Sequence, residues 1–383
     1  MKTFQCNCKD KPALFFESAL CLACGRTVGF DDDFNQVAPY EVDEVRGQFF
    51  KAAHPEIRYQ KCDNNAQFQA CNGMVNLNTF VPVADKDEML CFACRFNNTI
   101  PNLSVVEHIP LWKKMETAKR RALYTLNALP VPLKNTHQDP KSGLSFDFIT
   151  DRNVKDHFVS KLAYQQAVFT GHACGHITIN LAEADDVARS YTKMAMGEQY
   201  RTLLGHFRHE LGHYYFDQLI ANSPAKHALC KQYFGDDGLD YQNAMNKYYQ
   251  NGAPENWHEM FISEYGTMHP SEDWAETWAH YMHIIDTLET AQNFSITGST
   301  SGSAVNNEEV VELHLPQHEG YFSAQTPIAN ILETWMDFSV ILNSLNRSMG
   351  LDDAYPFVLS ESVRNKLSFV HHAIHNKLDQ LPH

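Results

Sequence analysis

The stretch His206-Phe207-Arg208-His209-Glu210-Leu211-Gly212-His213 decides how this chain is read. His209 and His213 stand four residues apart with Glu210 beside the first, the pattern HExxH. On a helix that spacing puts both imidazoles on one face. Two neutral imidazoles so placed suit a catalytic zinc, and the adjacent carboxylate can take a proton from the metal's water. The flanking sequence from Gly197 to Ile220 has no proline, and Leu203, Leu204, Phe207, Leu211, Tyr214 and Tyr215 recur at spacings of three and four. This periodicity predicts a core-packed helix over 197–220. His206, His209, Glu210, His213 and Asp217 share one stripe of it, where polar groups are costly to bury unless paired or bound to metal. Two core histidines hydrogen-bonded to their surroundings are the plainer alternative. Metal binding explains the whole stripe, with His206 and Asp217 as outer partners of the ligands.

A zinc site that hydrolyses needs a third protein ligand and one position left for water. Downstream lies Tyr265-Gly266-Thr267-Met268-His269-Pro270-Ser271-Glu272-Asp273-Trp274-Ala275-Glu276. Pro270 and Ser271 read as a helix entry, which places Glu272, Asp273 and Glu276 in the first two turns. Glu272 and Glu276 lie one turn apart on one face, so either can reach the metal. The first can bind it while the second accepts a hydrogen bond from the distal nitrogen of a ligating histidine. Acids that merely complement the helix dipole are the simpler reading. That reading does not explain why they lead into Trp274, Ala275, Trp278 and Tyr281, which belong in a core.

The arrangement resembles the gluzincin metallopeptidases, in which HExxH is followed by a helix bearing Glu-x-x-x-Glu or Glu-x-x-x-Asp. Locally it resembles the protease domain of anthrax lethal factor, where a Tyr-Gly pair stands seven residues before the metal-binding Glu, as Tyr265-Gly266 stands seven before Glu272 here. The resemblance implies zinc on His209, His213 and Glu272, Glu210 as base, Glu276 in the outer shell and Tyr265 donating to the oxyanion. Over its full length the chain is similar to a bacterial family of zinc-ribbon, zinc-binding metallopeptidases. The matching blocks are TGHACGHITINLAEADD, YRTLLGHFRHELGHYYFD, HPSEDWAETWAHY and an N-terminal eight-cysteine region.

Eight of the ten cysteines precede residue 95. Cys6, Cys8, Cys21 and Cys24 form a compact set of four, a ribbon-type metal signature, and Gly25 suits the knuckle that follows it. Cys62, Cys71, Cys91 and Cys94 form a looser set in which Arg95 replaces the glycine; iron is an alternative to zinc in such sites. The start MKTFQCNCKD lacks the apolar core of a signal peptide, so a cytoplasmic protein with thiolate–metal bonding is expected rather than disulfides. Cys174 and Cys230 read as ordinary buried residues.

A formal charge of −15 argues against nucleic acid, because phosphate contacts need clustered Lys and Arg. No apolar run is long enough to span a membrane. The basic stretch WKKMETAKRRALYTLNAL reads as an amphipathic helix, Leu111 to Leu129, with its charges on a solvated face. Leu144–Phe148 and HITINLA (176–182) alternate like strands. The second is a candidate edge strand that binds an extended substrate through Ile177, Thr178, Ile179 and Asn180; a plain core strand fits equally well. Glu183, Asp185 and Asp186 read as a helix cap, and His172 and His176 as satisfied histidines. Residues 231–260 include a polar helix. Ser295–Asn307 reads as a mobile solvent loop with room for a lid role, and two helical periods follow, over 328–345 and 360–378.

The expected architecture is α+β: a mostly helical zincin-like metallopeptidase domain over 106–383 behind a cysteine-rich zinc-ribbon module over 1–105. The expected activity is hydrolysis of a peptide or protein substrate by zinc-activated water with Glu210 as general base, using one catalytic and about two structural Zn2+. Two other readings use the same residues. One is a catalytically silent zinc-dependent module whose ribbon docks a protein, and the other is a zinc amidase acting on a non-peptide substrate.

Overall fold

The computed structural model describes residues 1–82, 88–150, 171–190, 202–294, 296, 299–300, 311–312 and 320–381. The fold is α+β, and packing divides it into two compact units: 1–124 with 133–189, and 125–132 with 190–383. This line differs from the 105/106 division expected from composition, for reasons visible inside the first unit.

The first unit begins with a two-stranded ribbon, β1 (Phe4–Gln5) and β2 (Ala13–Leu14). A closed barrel follows, built from β3 (Thr27–Asp31), β4 (Gln36–Asp43), β5 (Gln48–Lys51), β6 (His54–Lys61) and β7 (Gly73–Asn76). The β7 strand pairs antiparallel with β6 and parallel with β3, which closes it. Closure is tight at Gly29, where an added Cβ would stand 2.7 Å from the Asn72 carbonyl oxygen. Tyr40, Tyr59 and Met74 fill the interior. The cysteine spacing had suggested only ribbons here.

Between β6 and β7 lies α1 (Asp63–Phe68), and after Cys94, the last of the eight N-terminal cysteines, comes β8 (Asn97–Thr99). A four-stranded sheet has the order β10–β11–β9–β8, with β9 Ser145–Ile149, β10 Gly171–Ala173 and β11 His176–Asn180. The β8 strand, from the cysteine-rich segment, runs parallel to β9, which belongs to the region expected to fold separately. Helix α2 (His108–Asn127) also joins this unit for nearly its whole length.

Three expectations are corrected here. The charges of α2 do not all lie on a solvated face: Glu116 and Lys119 are wholly buried and paired at 2.8 Å. Glu116 also accepts hydrogen bonds from Trp112 Nε1 at 3.2 Å and Asn97 Nδ2 at 2.8 Å, while Arg120 donates to Asn72. A buried charge persists only when paired and hydrogen-bonded, and these are. Nor is β11 an edge strand. It pairs with β9 along its length and with β10 over His176–Thr178, so Ile177 and Ile179 are core residues and Asn180 caps the next turn through Ala182 N. With both sides hydrogen-bonded over 176–178, the substrate-pairing role assigned to Ile177–Asn180 loses its backbone groups there. Cys174 is exposed, not buried; it forms the β10–β11 turn with Gly175, and both residues have positive φ. Asp185 does cap as expected, accepting from Val187 N and Ala188 N.

The second unit is mainly helical: α3 (Leu203–Phe216), α4 (Pro224–Phe234), α5 (Tyr241–Asn251), α6 (Pro270–Asn293), α7 (Ile328–Ser348) and α8 (Glu361–Ile374). The α3 helix begins at Leu203, where Thr202 is extended and caps it by accepting from Gly205 N; the expected residues 197–201 lie outside the described residues. It closes in a π turn over Asp217–Ala221. A short pair, β12 (Ser299–Thr300) and β13 (Val311–Glu312), is present, and the remainder of the expected loop falls largely outside the described residues.

The core element is α6, with Trp274, Trp278, Tyr281, Ile284, Ile285 and Leu288 all buried. Helix α3 crosses it at Gly212, where an added Cβ would lie 2.8 Å from Ala275 Cα. Trp274 Nε1 donates to the Gly212 carbonyl at 2.8 Å, fixing the crossing. Because the obstructing atom is backbone, Gly212→Ala should force the helices apart and destabilise the fold by about 1–3 kcal/mol. Denaturant unfolding measures this. A variant matching the parent would mean that the crossing tolerates displacement.

Candidate metal centres and active site

The crossing of α3 and α6 brings together the residues singled out by HExxH and by the downstream acids. His209 Nε2 lies 3.0 Å from Glu272 Oε2, His213 Nε2 lies 3.5 Å from the same oxygen, and the two imidazole nitrogens are 3.2 Å apart. Ligand atoms on a tetrahedral zinc stand about 3.3 Å from one another, given bonds of about 2.0–2.1 Å. Three lone-pair donors thus converge with the spacing one ion would impose, and the donor set of two imidazoles and a carboxylate suits zinc.

Glu276 is one turn further along α6, and its Oε1 meets His209 Nδ1 at 2.6 Å. It therefore stands behind the histidine, where it fixes the ring's orientation and leaves Nε2 facing the cluster. Burial presses the His209 imidazole down, but Glu272 and Glu276 outweigh it and hold it well above its usual range. The same negative field raises its affinity for a cation. Burial would raise the Glu272 carboxyl, but His213 and His209 keep it well below the ordinary carboxylate range. Burial likewise acts against ionised Glu276, and His209 overcomes it.

Glu210 is buried, and its Oε2 has no hydrogen-bond partner among the described residues. Its Oε1 lies 3.4 Å from His206 Nε2, so His206 faces the glutamate rather than the ligand cluster. Despite burial, His206 and His209 hold the Glu210 carboxyl below its ordinary value, and it stays ionised at neutral pH. Asp217 is exposed one turn beyond His213 and feels that imidazole electrostatically. Tyr265 sits in a short 3-10 turn with its ring 5.8 Å from that of His209. Burial and then the Glu272 charge push its phenol well above the usual range, so it remains a proton donor.

Two contacts escaped the sequence reading. Tyr241, the first residue of α5, donates its hydroxyl to Glu272 Oε1 at 3.1 Å. Ser263 helps to lower the Glu276 carboxyl below its ordinary value. Both come from outside the motif helices, and neither shows a spacing signal. Asp273, beside Glu272, points elsewhere and pairs with the buried Lys366 of α8 at 2.6 Å.

The eight N-terminal cysteines gather into the two expected sets. Within each set, Cys6, Cys8, Cys21, Cys24 and Cys62, Cys71, Cys91, Cys94, the sulfurs lie within 4.8 Å of one another. Sulfur–sulfur distances are 3.8 Å (Cys6–Cys24), 3.8 Å (Cys71–Cys94) and 4.0 Å (Cys71–Cys91). A tetrahedral four-sulfur zinc site with bonds of about 2.3 Å gives about 3.8 Å. In the first set Gly25, at φ 73°, donates to the Cys21 carbonyl, forming the expected knuckle. In the second, Arg95 does the same to Cys91 within a 3-10 turn, which needs no glycine. Gly73 is required for another reason: an added Cβ would lie 2.5 Å from Cys91 Sγ. Cys24 is exposed, whereas all four of the second set are buried.

Comparison with known proteins agrees with this geometry. A family described as "Putative zinc-binding metallo-peptidase" matches residues 108–373, and a zinc-ribbon domain matches residues 3–105. Proteins of Mycobacterium bovis and Mycobacterium tuberculosis, each named only as an uncharacterized protein, are 36% identical over 372 residues, covering 97% of this chain and 94% of theirs. No solved structure matches the chain. Among the described residues, no helix is long and apolar enough to cross a membrane. With the two histidines and Glu272 converging on one point and eight thiols gathered in fours, the chain belongs to this zinc-binding metallo-peptidase family and carries a zinc ribbon at its N terminus.

Proposed function

We propose that the chain is a gluzincin-type peptidase that hydrolyses peptide bonds at a zinc held by His209, His213 and Glu272. The observation that carries this reading is the convergence of those three ligand atoms beside the ionised Glu210, whose Oε2 has no partner among the described residues. Zn2+ supplies Lewis acidity at such a site and lowers the pKa of water to about 7. Glu210 takes the proton of the attacking water and returns it to the leaving amine. Tyr265 donates its phenolic hydrogen to the oxyanion that forms at the former carbonyl. Glu276 holds the His209 ring in place, and His206 orients Glu210.

The substrate is a peptide or protein, and the ribbon is a structural module that also offers a protein-docking surface. Thiols arranged for metal suit a reducing compartment, which favours the cytoplasm. Purified protein should contain about three equivalents of zinc, two held tightly by cysteines and one more readily exchanged. Metal analysis through a chelator titration tests this. Hydrolysis should stop as the exchangeable equivalent leaves and return when zinc is restored, with the N-terminal unit still folded. A single equivalent, or hydrolysis indifferent to its loss, would overturn the assignment.

A further inference from the structure

Glu272 has two oxygens with separate surroundings. Oε2 faces both histidine nitrogens, while Oε1 accepts the Tyr241 hydroxyl at 3.1 Å. A carboxylate on zinc readily swings to bind through both oxygens, and doing so consumes the coordination space that a hydrolytic site must keep open. A phenol already bound to Oε1 opposes that swing. Tyr241 is itself well anchored for the task. Asp240 caps α5 just before it, and its ring packs edge-on against His269, with centroids 5.2 Å apart. His269 in turn caps α6, the helix that bears Glu272, and its Nε2 meets the Leu239 carbonyl at 3.2 Å. The start of α5 and the first turn of α6 are thereby held in one register. Tyr241 remains 41% exposed, so its packing contributes little to the core.

We propose that Tyr241 is a positioning residue of the metal centre, holding Glu272 as a one-oxygen ligand. This rests on the reading of His209, His213 and Glu272 as the zinc site. Losing a partner that orients a ligand typically weakens metal binding by about ten- to a hundredfold.

The test uses full-length protein from which only the exchangeable zinc has been stripped, leaving the cysteine sites filled. Zinc is titrated against a chromophoric chelator, and Co2+ is added separately to read coordination number from its visible absorption. Tyr241→Phe should bind zinc about ten- to a hundredfold more weakly. It should also give a weaker cobalt band, as Glu272 becomes two-oxygen, while unfolding at the parental denaturant concentration. Unchanged affinity and an unchanged cobalt spectrum in Tyr241→Phe, with Glu272→Ala losing the metal, would overturn the positioning role and leave the zinc site standing. If Glu272→Ala keeps full affinity, the zinc-site reading falls and takes this inference with it.

Discussion

Glu210→Gln should bind zinc as the parent does, fold as the parent does and lose hydrolysis by about a thousandfold or more. The amide is the same size as the carboxylate, so it fits the buried site beside His206 without strain. It cannot accept a proton, and the proposed cycle asks Glu210 to do so in the attack and to give the proton back at departure. His206 and His209 hold this carboxyl below its ordinary value, and Oε2 has no partner among the described residues, the state a base needs. Steady-state rates and metal content measured on one preparation decide the matter. Turnover near the parental rate would move the base elsewhere, with His206, 3.4 Å away, the first candidate.

Glu272→Ala should lose the exchangeable zinc and all activity, whereas Glu276→Ala should lower affinity or rate by only about ten- to a hundredfold. Spacing along the sequence left either glutamate within reach of the metal. The helix crossing separates them: Glu272 Oε2 stands within 3.5 Å of both ligand nitrogens, while Glu276 meets His209 from the far side, at Nδ1. Removing Glu272 leaves two imidazoles and no anionic ligand. Removing Glu276 leaves the ligand set intact and loosens one ring. Zinc titration of both variants discriminates, and metal loss in Glu276→Ala with retention in Glu272→Ala would exchange the two roles.

The parts of the site legible in the sequence are those in which a local rule and the chemistry coincide. Two histidines at helical spacing, a proline-led helix with acids in its first turn and cysteines in close pairs each declare their geometry within a few residues. Tyr241 was illegible because its partner lies across the fold, and a tyrosine opening a polar helix carries no periodic mark. The barrel of β3–β7 was hidden behind the cysteines, although Ala38, Tyr40 and Tyr59 turn inward within it. Glu116 and Lys119 looked like surface charges because burial of an ion pair depends on groups such as Asn97 and Trp112 arriving to satisfy it. The HITIN strand showed its alternation but not its neighbours. Whether a strand is an edge is settled by what pairs beside it, and β10 does so.

Peptide hydrolysis by the exchangeable zinc site is tested most directly by incubating the protein with a diverse peptide pool in heavy-oxygen water and reading the products by mass spectrometry. Parent protein should generate new carboxyl termini carrying the heavy oxygen. Chelator-stripped protein and Glu210→Gln should generate none, and added zinc should restore the products only to the stripped parent. Absence of cleavage by fully metallated parent protein, or products that persist in Glu210→Gln, would contradict the assignment of this site as a zinc peptidase.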